Sequence, residues 1–147
     1  MTRRMLTALV ALVGFFVALY LALYKAGKIG VLACGTGGCE TVQLSKWSTL
    51  GPFSVATWGV AFYALVFALT FAATTERFAA SQRLTQALLV LTGWGVLFSA
   101  WLTYLELFVI HAICRYCIVS AAIAVLLFVL VVLDWRQLRT QSSRTDP

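Results

Sequence analysis

Charged residues are scarce in this chain of 147 residues. They make up 11% of it, while hydrophobic residues make up 62% and the mean hydropathy is +0.94. A globular protein carries about 25% charged and roughly 45–50% apolar residues. A chain with so little charge cannot cover its own surface with polar groups. The composition therefore excludes an ordinary soluble domain and indicates a protein whose solvent is lipid.

Sequence motifs that mark several common protein classes are also missing. The sequence contains no internal repeat, no nucleotide-binding glycine pattern and no hydrolase triad. Its net charge of +6 is spread over the flanks of the apolar runs, where membrane topology accounts for it without a nucleic-acid partner. Any chemistry has to come from the four cysteines.

Four uncharged runs are long enough to cross a bilayer, which takes about 20 residues per helix. They predict an all-α fold, a polytopic membrane protein built as a bundle of four transmembrane helices. Residues 1–136 form one catalytic domain, and residues 137–147 form a short, polar, disordered cytoplasmic tail. The predicted spans are residues 5–24, 52–75, 84–110 and 114–133, the second beginning near Pro52. The first run exceeds the core of a secretory signal, about 7–15 residues, so we expect it to be retained.

Basic residues predict the orientation, because they are enriched on the cytoplasmic side of a membrane. Seven flank the runs on the side of both termini, and four lie on the opposite side. The first set is Arg3, Arg4, Arg77, Arg83, Arg136, Arg139 and Arg144; the second is Lys25, Lys28, Lys46 and Arg115. We therefore expect both termini in the cytoplasm and all four cysteines on the extracytoplasmic face, where disulfides are permitted.

Cys114 and Cys117 stand three residues apart at the predicted start of the fourth helix. At this spacing the Cβ atoms are about 5–6 Å apart, so a disulfide forms or opens with little movement. The helix N-terminus and the adjacent Arg115 favour a thiolate, the attacking species in disulfide exchange. The pair is suited to reversible redox work.

Cys34 and Cys39 enclose four residues, three of which are glycine. Such a loop can close into a disulfide or extend up to about 17 Å, so it can carry a sulfur from one partner to another. Two other interpretations stay open. The loop pair can be a static disulfide, or all four cysteines can form a zinc site, because both spacings suit zinc ligands.

The residues around both pairs carry a resemblance to the vitamin K epoxide reductase family, most closely to its bacterial disulfide-forming branch. The resemblance covers about residues 6–133. It is carried by residues 34–45 (CGTGGCETVQLS), Gly51 and Pro52, Trp58 and Gly59 with Tyr63, and residues 105–117 (LELFVIHAICRYC). It implies a four-helix enzyme of the bacterial inner membrane that reoxidises a thioredoxin-fold thiol oxidant and reduces a quinone, either ubiquinone or a menaquinone.

The resemblance also implies a role for each cysteine. Cys34 forms the mixed disulfide with the partner, a separate thioredoxin-fold (DsbA-like) chain. Cys39 hands its sulfur bond on to Cys114, and Cys117 faces the quinone and donates electrons to it.

Two alternatives belong to different functional classes. One is turnover of vitamin K epoxide by the same fold; against it, Ala121 and Val55 stand where animal members have a quinone-contacting Tyr and Asn. The other is a non-enzymatic membrane protein with structural disulfides or a zinc site.

Three further polar residues have two interpretations each. Ser45 either hydrogen-bonds the redox centre or quinone, or caps a helix in the loop. Glu106 either relays a proton during quinone reduction or reaches the membrane interface from near a helix end, and the second is favoured. His111 either supplies a proton or is simply solvated.

Aromatic residues near the predicted helix ends are candidates for a quinone pocket. The alternative is that they are ordinary anchors at the membrane interface. The candidates are Trp58 and Tyr63, with Trp94 and Trp101 as further possibilities.

Overall fold

The computed structural model describes residues 2–28, 41–42, 44–78 and 81–145. Four of its helices are long and apolar enough to cross a membrane. They are α1 (Thr2–Lys25), α2 (Val55–Ala73), α3 (Gln82–Leu105) and α4 (Arg115–Thr145). The predicted all-α bundle of four membrane helices is confirmed, and the chain is a multi-pass membrane protein.

The helices form a ring in which each packs against two neighbours. Helix α1 contacts α2 and α4, α4 also contacts α3, and α2 and α3 approach each other least closely. Small side chains such as Ala11 and Ala18 are buried between the helices and allow close packing. On α1, the backbone at Gly14 lies directly against the ring of Tyr63, where a Cβ would overlap it. Tight packing around α1 thus contrasts with a looser contact between α2 and α3.

Two short antiparallel strands precede α2. They are β1 (Thr49–Leu50) and β2 (Phe53–Ser54). Gly51 and Pro52 form the turn between them, and Gly51 has a φ of 67°, which glycine adopts without strain. The side chain of Ser54 then caps α2 by accepting the N–H of Thr57 at 3.2 Å. The predicted helix start near Pro52 is wrong by three residues, because Pro52 belongs to the hairpin and α2 begins at Val55.

The end of α3 departs from α-helical geometry. A π-helix, Glu106–Ile110, follows it directly. His111 then adopts a left-handed conformation with a φ of 57°, and the N–H of Ala112 donates to the carbonyl oxygen of Glu106 at 3.1 Å. The chain thereby reverses direction and reaches the start of α4 within a few residues.

Helix α4 is longer than its predicted span. It continues to Thr145, so the expectation of a disordered tail from residue 137 is wrong. No glycine or proline occurs between Arg115 and Thr145, and extending an existing helix fixes one residue per added hydrogen bond. The polar end of α4 is exposed, as its composition predicts.

Arginine side chains tie three helices together at the end of the bundle opposite Cys114 and Cys117. The ion pair of Arg4 with Asp134 measures 3.1 Å, and Arg4 also donates to the carbonyl oxygen of Ala73 at 2.6 Å. Arg3 donates to the side chain of Gln137 at 2.9 Å. We call this set of five residues the arginine clasp. It joins α1, the last residue of α2, and α4.

Candidate functional site

The site is built around Cys114 and Cys117, at what we call the cysteine end of the bundle. Cys34 and Cys39 lie outside the described residues. The side chains of Cys114 and Cys117 share a hydrogen bond, so the spacing does bring the two sulfurs together, as two thiols.

Cys114 is fully buried, at 0% exposure, immediately before the first residue of α4. The pKa of its thiol is lowered, chiefly by the hydrogen bond from the Cys117 side chain, and further by the backbone N–H groups of Cys117 and Tyr116. Burial and the charge of Glu106 act in the opposite direction. The sequence predicts a thiolate at the helix N-terminus without choosing between the two cysteines; the structure directs those N–H groups to Cys114.

Glu106 lies against both cysteines. Its Oε2 accepts the backbone N–H of Cys114 at 3.2 Å, and its side chain hydrogen-bonds that of Cys117. The side chain is 4% exposed. The favoured expectation that Glu106 reaches the membrane interface is therefore wrong. The π-helix beginning at this residue and the reversal at His111 place the carboxyl group inside the bundle.

A cavity of about 490 Å³ opens beside Cys117, mainly between α2 and α3. Its wall is apolar and aromatic, and both predicted quinone residues, Trp58 and Tyr63, belong to it. It includes Val55, Trp58, Phe62, Tyr63, Trp94, Phe98, Glu106, Cys117 and Ser120. Trp58 and Trp94 are 47% and 65% exposed, so this side of the cavity reaches the outer surface of the bundle. In a membrane protein that surface faces lipid.

A second, smaller space of about 30 Å³ shares Cys117 and Glu106 with the wall of the large cavity. Ser45 and Ser48 contribute polar groups to its wall. The hydroxyl of Ser45 donates to the carbonyl oxygen of Val42 at 2.8 Å. Ser45 also precedes a short 3-10 helix, Lys46–Ser48, without capping it through its side chain. Ser45 thus lies beside the redox pair, although its hydroxyl donates to the backbone.

Three other sequence candidates lie apart from the sulfurs. The side chains of His111 and Arg115 are exposed, and neither contacts a cysteine within the described part of the chain. Trp101 packs edge-on against Trp47 and beside Phe98 rather than lining the large cavity.

Sequence reasoning missed Ser120 and Phe62. The hydroxyl of Tyr63 donates to the carbonyl oxygen of Ser120 at 2.7 Å and lies 2.8 Å from its hydroxyl, which joins α2 to α4 beneath the cysteines. The spacing of Ser120, three residues after Cys117, could have placed it on the same helix face. Nothing in the sequence around Phe62 signals its place in the cavity wall.

Comparison with known proteins supports one assignment. No individual curated protein matches the chain significantly. The sequence profile described as the vitamin K epoxide reductase family matches residues 5–132, which include all four membrane helices in whole or in large part. On this match, and with a pair of neighbouring thiols at one end of a four-helix bundle, the chain belongs to the vitamin K epoxide reductase family.

Proposed function

We propose that this protein is a membrane thiol oxidase of the bacterial disulfide-forming type. It reoxidises an extracytoplasmic thioredoxin-fold partner and passes the electrons to a membrane quinone. The observation that carries the proposal is the position of Cys117, in the wall of an apolar cavity of about 490 Å³ and hydrogen-bonded to the buried Cys114. Members of the family are oxidoreductases that use quinones as electron partners.

The cavity fits a quinone in size and chemistry. Its volume of about 490 Å³ is within the range of about 300–1,000 Å³ that small-molecule sites occupy. Phe62, Trp94 and Phe98 offer aromatic faces for a planar ring, and the exposed side between α2 and α3 leaves room for an apolar chain. When bound, a quinone supplies a two-electron acceptor that takes up two protons as it becomes a quinol.

The surroundings of Cys114 and Cys117 differ, and they give the two cysteines different roles in the proposed reaction. Cys117 presents its sulfur to the cavity, whereas Cys114 lies behind it with no exposed surface. The lowered pKa of the Cys114 thiol favours a thiolate there. A thiolate adjacent to Cys117 is placed to close the disulfide between the two residues as the electrons leave.

In the proposed reaction, Cys34 and Cys39 transfer electrons from the partner to the Cys114/Cys117 pair. Cys34 forms a mixed disulfide with the partner, and Cys39 carries the exchange on to Cys114. Orientation belongs to the same proposal: both termini are cytoplasmic, so the cysteine end faces the compartment in which disulfides form. The small space lined by Ser45 and Cys117 lies between the described part of this loop and the redox pair.

Redox potentials support a quinone as the final acceptor. A strongly oxidising thioredoxin-fold protein has a potential of about −120 mV, and a secretory glutathione pool lies near about −200 mV. Regeneration by that pool would be uphill by nearly 4 kcal/mol for two electrons, at about 1.4 kcal/mol per 30 mV. A quinone is a sufficient oxidant, and it is soluble in the lipid that surrounds the cavity.

Turnover by the purified protein tests the proposal. The protein is reconstituted with a reduced thioredoxin-fold oxidant and a quinone, and quinol formation is followed by absorbance. We expect quinol to form at the rate at which the partner becomes oxidised, and to require both substrates. A protein with purely structural disulfides or a zinc site gives no turnover.

Trapping the partner tests the assigned roles of the loop cysteines. In a Cys39→Ser variant the resolving thiol is gone, so a covalent complex through Cys34 should accumulate on a non-reducing gel and disappear on reduction. Cys34→Ser is the matched control and should trap nothing. Trapping by Cys34→Ser alone would reverse the two roles, and trapping by neither would favour a structural disulfide in the loop.

A further inference from the structure

Glu106 is a buried carboxylic acid without a cation partner in the described part of the chain. It is 4% exposed, and its side-chain contacts are the backbone N–H of Cys114 and the side chain of Cys117. The ion pair of Arg4 with Asp134 lies at the opposite end of the bundle. Because burial of an unpaired carboxylate is costly, a carboxyl group in this position is suited to exchanging protons with its neighbours.

The other ionisable side chains at this end of the bundle are exposed, half-buried or bonded to different partners. They are Tyr20, Tyr24, Lys25, Lys46, Tyr63, His111, Arg115 and Tyr116. Lys25 donates to the hydroxyl of Ser48 at 2.9 Å, and Tyr63 bonds Ser120. No hydrogen bond or ion pair joins any of the eight to Glu106 in the described structure. Glu106 is thus an ionisable group in direct hydrogen-bond contact with the side chain of Cys117.

The backbone holds Glu106 in this place. The π-helix Glu106–Ile110 and the left-handed residue His111 return the chain so that the N–H of Cys114 meets Oε2 of Glu106 at 3.2 Å. The N–H of Ala112 donates to the Glu106 carbonyl oxygen at 3.1 Å and closes the same turn. π-helical turns are rare and occur frequently at functional sites. The position of the carboxyl group is therefore a property of the fold.

Glu106 also lies between two spaces. Together with Cys117 it lines both the cavity of about 490 Å³ and the smaller space of about 30 Å³. The first is apolar and suits a quinone; the second has the hydroxyl-bearing residues Ser45 and Ser48 in its wall. The carboxyl group of Glu106 thus belongs to a residue in the walls of both spaces, next to the Cys117 side chain from which it would take a proton.

We propose that Glu106 is a catalytic residue of the thiol pair: its carboxylate accepts the proton of the Cys117 thiol and releases it on the cavity side. This inference rests on the proposed function, because it requires a quinone as the electron acceptor. In one cycle the Cys114 thiolate and the Cys117 sulfur form one S–S bond, and two electrons leave for the quinone; the proton of the Cys117 thiol and the proton that Cys114 released on ionising complete the quinol. Glu106 carries one of those protons and ends the cycle unchanged.

Replacement of the carboxyl group by an amide tests this role. Glu106→Gln keeps the shape and the acceptor for the Cys114 N–H but cannot take up a proton. We expect quinol formation to fall by about 10²–10⁴-fold, with an unchanged thermal unfolding midpoint. Glu106→Asp keeps the acid and should retain part of the rate. Glu76→Gln is the matched control, because Glu76 is exposed in the turn after α2, and it should behave as the unmodified protein.

A second measurement needs no quinone. Thiolate absorbance of the fully reduced protein is titrated against pH, with Cys34 and Cys39 replaced by Ser so that only the Cys114/Cys117 pair contributes. In the Glu106→Gln variant the thiolate should form at lower pH, because the carboxylate charge that opposes it is gone. A glutamate that only positions the backbone, and stays neutral throughout, would leave the titration unmoved.

The outcomes separate the two proposals. A slow Glu106→Gln variant with an unmoved titration would overturn proton exchange and leave a positioning role, and a variant as fast as the unmodified protein would overturn the inference outright. If the unmodified protein itself forms no quinol, the proposed function fails. The titration then still decides whether Glu106 exchanges protons with Cys117. An unmoved titration curve overturns the proposed proton exchange, and a shifted curve supports it.

Discussion

The two ends of the bundle are held together in different ways. At one end the arginine clasp joins α1, α2 and α4 through side chains whose charges are paired or hydrogen-bonded, and the helices run regularly into it. At the cysteine end a hairpin, a π-helix and a left-handed residue interrupt the helices. Within the described residues, the buried carboxyl group there bonds the backbone N–H of Cys114 and the side chain of Cys117 instead of a cation.

This difference shows where the fold tolerates irregularity. Functional sites are the places where proteins depart from ideal helix geometry and from complete charge pairing. In this chain such departures lie around Cys117 and the cavity between α2 and α3, whereas the helices stay regular at the opposite end. We therefore expect the clasp to serve stability and the cysteine end to serve chemistry, and substitutions at the two ends should separate these quantities.

The largest effect is expected at Cys117. Cys117→Ser removes the sulfur in the cavity wall, so quinol formation should fall below detection, a loss of at least about 10³-fold. Thermal stability should change little, because Ser can keep a hydrogen bond to Cys114. Exchange between the Cys34/Cys39 pair and a thiol partner, measured by gel shift, should persist as an internal control. Normal quinol formation would show that another sulfur faces the quinone.

A smaller effect, on stability alone, is expected at the clasp. Arg4→Gln breaks the pair with Asp134 and weakens the bond to Ala73, so the free energy of unfolding should fall by about 1–3 kcal/mol. Quinol formation by the folded protein should remain near that of the unmodified protein. Arg3→Gln is the comparison within the clasp: Arg3 is exposed, and its loss should cost under about 1 kcal/mol. Equal costs for both would contradict the assignment of the main stabilising contact to Arg4.

The smallest effect concerns the cavity wall. A Cβ at Gly95 would overlap the ring of Phe62, so Gly95→Ala should displace that ring. The expected result is a KM for quinone raised about tenfold, which corresponds to about 1.4 kcal/mol. Gly93→Ala, whose Cβ would meet Phe128 at an ordinary 3.5 Å, should leave KM unchanged. A KM unaltered in both variants would place the quinone away from Phe62.

The membrane helices could be predicted because they follow from composition. Spans without charge have to be helices in lipid, where each backbone polar group needs an internal partner. Composition does not determine where these helices begin and end. Pro52 suits the first turn of a helix, but in the structure it lies in the hairpin. Helix α2 begins only after its N-cap, Ser54. Helix α4 continues through its polar end to Thr145, since nothing in that segment stops it.

The site was predictable to the extent that it depends on local spacing. The thiols of Cys114 and Cys117 meet because they are three residues apart, and Trp58 and Tyr63 line the cavity; that they bind a quinone stays a prediction. The burial of Glu106 depends on a π-helical turn and a left-handed residue, for which the sequence has no clear signal. The cavity itself arises from the gap between α2 and α3, and helix separation is a property of packing rather than of any one segment.

A single-turnover experiment tests the central claim most directly, that Cys114 and Cys117 deliver electrons into the cavity. The double variant Cys34→Ser, Cys39→Ser is reduced, freed of reductant and mixed with quinone in lipid discs, and quinol and remaining thiols are counted. We expect one quinol per protein, with both remaining thiols converted to a disulfide between Cys114 and Cys117. Retention of both thiols without quinol formation would contradict the account.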